Sequence, residues 1–172
     1  PKLIENSVTS SVSSRAHTFV WDGVTPVRAT LCWTDPAGAA QADNSRTANL
    51  RHNLDLTITA PNGTVLPPYV MPFVGNWSDA AMNSVATTGK NNVDNVEQVY
   101  VSAPNQAGTY TVTVSRDGAL TTSSQVYSLV VTGGVNVEAN PVPVVNITAP
   151  VDGQAVLPGT PINITATATD LA

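Results

Sequence analysis

Apolar residues recur at every second position through much of the chain, and a period of two marks strands that bury one face. The clearest run is Asn53–Ala60, where Leu54, Leu56, Ile58 and Ala60 alternate with Asp55, Thr57 and Thr59. Pro61-Asn62-Gly63 then ends it, because proline lacks a donor and Asn-Gly accepts a positive φ. Upstream, Val27, Ala29, Leu31 and Trp33 alternate in the same way until Asp35-Pro36-Ala37-Gly38 breaks the run. Further strands are predicted at Ala16–Trp21, closed by the turn Asp22-Gly23, at Val96–Val101 and at Thr109–Val114. Residues 8–14 read as a short polar strand or lead-in. Gln125–Thr132 is apolar at nearly every position, which predicts a central strand covered on both faces.

Between these strands lie two long connections. Residues 37–49 form a polar loop, and Leu66–Thr88 holds Pro67, Pro68, Pro72 and Gly75. A connection of the second kind is usually functional or held by something. No segment of helical length shows a 3.6-residue period. About eight short strands punctuated by Gly, Pro and Asn turns predict an all-β fold, an antiparallel jelly-roll or β-sandwich. One open sheet of that size would leave an apolar face wet, whereas two stacked sheets bury both. The pattern assigns residues 1–134 to this domain and 135–143, with Pro141 and Pro143, to a linker. Residues 144–172 run strand, turn, short strand, strand, and resemble the opening of a bacterial immunoglobulin-like domain. Such a domain needs about 80–100 residues, so the chain is expected to be a piece of a longer protein.

Composition narrows the function. Charged residues are only 11% with a net charge of −5, so no basic face for nucleic acid is expected. No apolar run approaches the ~20 residues that cross a bilayer, so no membrane span is expected. Abundant Thr, Val, Asn, Ala and Ser with scarce Lys suit a secreted or cell-surface β-domain. The single Cys32 excludes an intrachain disulfide and reads as a small buried hydrophobe. The two histidines, His17 and His52, sit near no Gly-x-Ser-x-Gly elbow, so the chain is not expected to be an enzyme by itself. His17 reads as a surface or edge residue, and His52 as a loop histidine. Trp33 alternates with core residues, Trp21 packs at a strand end, and Trp77 pins its loop. Asn62, Asn76, Asn146 and Asn163 each open an Asn-x-Ser/Thr acceptor pattern, the first of which is also a turn signal.

Two acidic stretches stand out. Asp55 lies inside a strand, where carboxylates are scarce, and Asn91-Asn92-Val93-Asp94-Asn95-Val96-Glu97 leads into another. These are expected to be neighbours in space.

Five separated motifs occur in order: Ala29–Pro36, Asn53–Gly63, Gly75-Asn76, Asn95–Val101 and Gly108–Val114. Together they resemble the C-terminal β-jelly-roll (P-domain-like) domain of secreted subtilisin-like serine proteases, over about residues 8–134. The resemblance implies a non-catalytic accessory domain that packs against an upstream catalytic domain of the same chain, stabilises it and assists binding of a protein substrate. It also implies calcium, with Asn53, Asp55, Asn91, Asp94, Asn95 and Glu97 as candidate ligands. Asn53 and Asn91 stand where the family often has Asp, and fewer carboxylates weaken a hard-cation site. The physical case runs in parallel: close carboxylates from two strands, with few basic residues nearby, call for a cation. The competing reading is an Asn/Asp turn cluster that caps its own backbone. The other functional classes are a carbohydrate-binding jelly roll, which would need an exposed row of aromatics, and a structural module of a cell-surface adhesin.

Overall fold

The computed structural model describes residues 2–43, 45, 47–72, 78–133, 135–136, 144–155, 157–159 and 161–169. Trp77, Asn76 and Gly75 lie outside the described residues. The chain divides into two compact units, Pro1–Val137 and Glu138–Ala172.

In the first unit the strands are β1 (Lys2–Thr9), β2 (Ser14–Trp21), β3 (Val27–Cys32), β4 (Asn53–Thr59), β5 (Val65–Leu66), β6 (Tyr69–Val70), β7 (Thr87–Thr88), β8 (Val96–Val101), β9 (Gly108–Asp117), β10 (Ser124–Thr132) and β11 (Val135–Asn136). One sheet has the order β1-β10-β3-β8 and the other β11-β2-β9-β4-β5. Every pairing is antiparallel. The chain crosses from one sheet to the other after β1, β2, β3, β8, β9 and β10, and again between β5 and β8 by way of β6 and β7. That path is the double Greek key of a jelly roll. The pairing of β11 with β2 extends the first unit two residues past the expected start of the linker.

The alternation explains the stacking. Leu54, Leu56 and Ile58 from β4, Val112 and Val114 from β9, and Ala29 and Leu31 from β3 are fully buried between the sheets. Each large aliphatic side chain contributes roughly 1.5–3 kcal/mol by leaving water. Tyr110 packs against Phe19 and Trp21 at centroid distances of 5.6 and 5.2 Å. The Pro61-Asn62-Gly63 turn forms as the sequence requires: Gly63 has φ +85°, and Ala60 N donates to Thr64 O at 2.8 Å.

Several expectations need correction. β10 is central in its sheet but covered on one face only, with Val126 59% exposed. Its outward residues, Ser124, Val126, Ser128, Val130 and Thr132, are mixed polar and apolar, and none is buried. Cys32 is exposed, because Leu31 and Trp33 take the inward positions and strict alternation turns Cys32 to the outer face. The polar lead-in over residues 8–14 is instead the end of β1, a turn and the start of β2. His17 faces inward, and one of its ring nitrogens lies 3.2 Å from the Tyr127 hydroxyl. Burial lowers its pKa, helped by Lys2 and Arg15.

The long connection after Leu66 contains elements of its own. β6 pairs with β7, and a four-residue helix, α1 (Asp79–Met82), is capped by Ser78. In the second unit, β12 (Val144–Ala149) and β13 (Thr165–Thr169) form one antiparallel ladder with a bulge between Ile147 and Ala149. No helix among the described residues is long and apolar enough to cross a membrane.

Candidate functional site

β4 is an inner strand along only part of its length. β9 pairs with all of it, but β5 reaches only Ile58 and Thr59. Asn53–Thr57 therefore presents one open backbone edge. Across the sandwich corner lies β8, itself the edge of the other sheet. Glu97 points inward from β8 and is 1% exposed. Its Oε2 accepts the Leu56 backbone N–H at 2.6 Å, supplying the partner that β5 is too short to provide. An inward carboxylate at a sheet edge also blocks further strand pairing.

The bond leaves Glu97 half satisfied. Among the described residues its Oε1 is buried without a hydrogen-bond partner, and so is Asn53 Oδ1. Buried acceptors are rarely left so, because an unmet polar atom costs about 1–3 kcal/mol. Burial pushes the Glu97 carboxyl up to about 8, opposed by the Leu56 bond and reinforced by Asp55 and Asp94.

A partly exposed charged rim surrounds Asn53 and Asp55. Asn53 Nδ2 donates to Asn92 Oδ1 at 2.8 Å and to Asp117 Oδ2 at 3.5 Å. Lys90 Nζ lies 2.6 Å from Asp117 Oδ2 and 3.6 Å from Asp55 Oδ2. Burial raises the Asp55 pKa against the pull of Lys90, while the Lys90 bond lowers that of Asp117.

The two acidic stretches are thus side by side, but their six candidates divide. Asn53, Asp55 and Glu97 belong to one corner, and Asp94 acts on Glu97 electrostatically. Asn91 is committed to its own turn: its Oδ1 accepts from Val93 N and Asp94 N, and its Nδ2 donates to Asp94 Oδ2 at 3.0 Å. The Asn95 amide donates to Trp33 O at 2.7 Å, and Trp33 N donates back to Asn95 O, tying the start of β8 to the end of β3. These two are backbone clasps of the kind Asn makes in turns.

Asp117 and Lys90 enter the corner without a sequence signal. Asp117 faces Asn53 through the β4–β9 register, and nothing local distinguishes it from an ordinary residue ahead of a Gly turn.

His52 lies in the bend ahead of β4, a loop position as the sequence suggests, but it is 1% exposed. Its Nε2 accepts from Thr121 N at 2.8 Å, so Nδ1 carries the proton and donates to Gln125 Oε1 at 2.7 Å. Its backbone N–H and that of Arg51 bind the Asp35 carboxylate, which closes the loop over residues 36–50 at its neck.

Among the described residues, no three His, Cys, Asp or Glu side chains converge on one point as a ready metal cage. A cation here would draw on amide oxygens as well as carboxylates. Asn53 Oδ1 and Glu97 Oε1 suit a hard cation in type, both being oxygens without a donor. No family model matches the sequence, and no curated protein matches it either.

Proposed function

We propose that Pro1–Val137 is a non-catalytic accessory module of a secreted subtilisin-like serine protease, stabilised by calcium at the corner between β4 and β8. Four of the five motifs behind the resemblance each lie at least half on one strand, β3, β4, β8 or β9, of one jelly roll, which supports the accessory-domain reading. The calcium reading is carried by one observation: two buried oxygens, Glu97 Oε1 and Asn53 Oδ1, have no hydrogen-bond partner among the described residues. Asn53, Asp55, Glu97 and Asp94 would hold the ion, with Asp117 close by. The ion would neutralise the carboxylates and cross-link the two sheets. Because it needs Glu97 deprotonated, binding would release a proton and strengthen as pH rises. The second unit is read as the opening of an immunoglobulin-like domain.

The test is thermal unfolding in millimolar calcium against excess chelator at pH 8. A rise of several degrees in calcium is expected, since a ligand at 100 times its Kd adds about 2.7 kcal/mol. Identical melting curves would remove calcium from the proposal. The protease reading is tested separately on the coding sequence upstream of Pro1, where Asp, His and Ser motifs of a subtilisin-like enzyme are expected.

A further inference from the structure

The corner already holds a cation of its own. Lys90 Nζ makes a 2.6 Å ion pair with Asp117 and reaches Asp55 at 3.6 Å. Asp55 stands next to Leu56, whose backbone N–H bonds Glu97, the buried carboxyl whose Oε1 has no partner among the described residues. Lys90 is one of only two lysines in the sequence. Its neighbour Asn91 is anchored in the turn that precedes β8, so the side chain starts from a fixed base and ends among the carboxylates. Half of that side chain is exposed, which leaves it free to swing into solvent.

We infer that Lys90 is a tethered counter-cation that competes with the divalent ion for the Asp55–Asp117 side of the corner. The inference rests on the calcium reading and deepens it by naming what sets the affinity. With no ion bound, the ammonium offsets the repulsion between Asp55 and Asp117. When an ion enters, the ammonium must leave Asp55, because two cations a few ångströms apart repel. The site is therefore tuned to bind only where calcium is plentiful, and the domain keeps its corner intact where calcium is scarce.

The experiment is calorimetric titration of calcium chloride into the wild-type chain, Lys90→Gln and Lys90→Arg, with the metal-free melting temperature of each as a second readout. Lys90→Gln is expected to bind calcium roughly tenfold more tightly and to melt lower without it. Lys90→Arg, which keeps the charge, is expected to bind like the wild type. Equal affinities in wild type and Lys90→Gln, with only the metal-free melting temperature changed, make Lys90 a plain surface ion pair and overturn the inference while the calcium site stands. Heat of binding in none of the three at millimolar calcium overturns both. Binding by Lys90→Gln alone supports both.

Discussion

Two polar islands interrupt the apolar core at the same end of the sandwich, and they behave oppositely. Around His52 every polar atom has a partner. Its backbone N–H meets Asp35, its carbonyl accepts the Trp33 indole N–H at 3.0 Å, and both ring nitrogens are bonded. Gln125 passes the network on to the Thr34 and Val126 carbonyls. Around Glu97 the count does not close, and two oxygens are left over. A satisfied buried network rigidifies a fold, whereas an unsatisfied one costs stability unless something supplies the missing bond. Unmet hydrogen-bonding capacity, more than the number of acidic residues, points to a ligand here.

The largest effect is expected at His52. His52→Ala removes a buried ring and strands Gln125 Oε1 and Thr121 N–H, and a loss of about 3 kcal/mol is expected in urea unfolding. The loss should be the same with and without calcium. A calcium-dependent loss would merge the two islands into one site.

Glu97→Gln sharpens the contrast through pH. The Glu97 carboxyl titrates near 8 in the folded chain, against 4.5 for an ordinary one. Between those values the folded state holds a proton that the unfolded state releases. The native protein's stability should therefore fall as pH rises from about 4.5 to 8, provided no metal is present. Glutamine cannot titrate, so the variant should match the wild type near pH 4 and exceed it by about 2 kcal/mol at pH 9 in chelator. In calcium at pH 9 the order should reverse, because the variant has lost its charged ligand. A wild-type profile parallel to that of the variant would show that Glu97 ionises normally.

The smallest effect is expected at the neck of the loop. Asp35→Ala removes the acceptor of the Arg51 and His52 amides, the first bond exposed and the second part-buried. A loss of about 1 kcal/mol is expected, along with faster hydrogen exchange at those two amides. Unchanged exchange would show that the His52 island holds the loop without Asp35.

Much of the fold was legible because it is written locally. Whether Leu56 faces in and Thr57 faces out depends only on the two-residue repeat of an extended backbone, and Pro61-Asn62-Gly63 turns by its own dihedral preferences. The same rule, applied strictly, also places Cys32 outward; an apolar neighbourhood in sequence is not burial. The juxtaposition of Asp55 with Glu97 was legible only as far as strands with opposed polar residues must meet in a sandwich.

The chain by itself therefore determined the strands, their inward faces and the all-β class. Tertiary structure alone decided that β5 stops short of Leu56, that Glu97 fills the gap, that Asp117 and Lys90 join the corner, and that Asn91 and Asn95 are spent elsewhere. The reason is physical. A side chain's direction is set by its neighbours one and two residues away, but its hydrogen-bond partner is set by whichever strand arrives beside it, here from 41 residues along the chain.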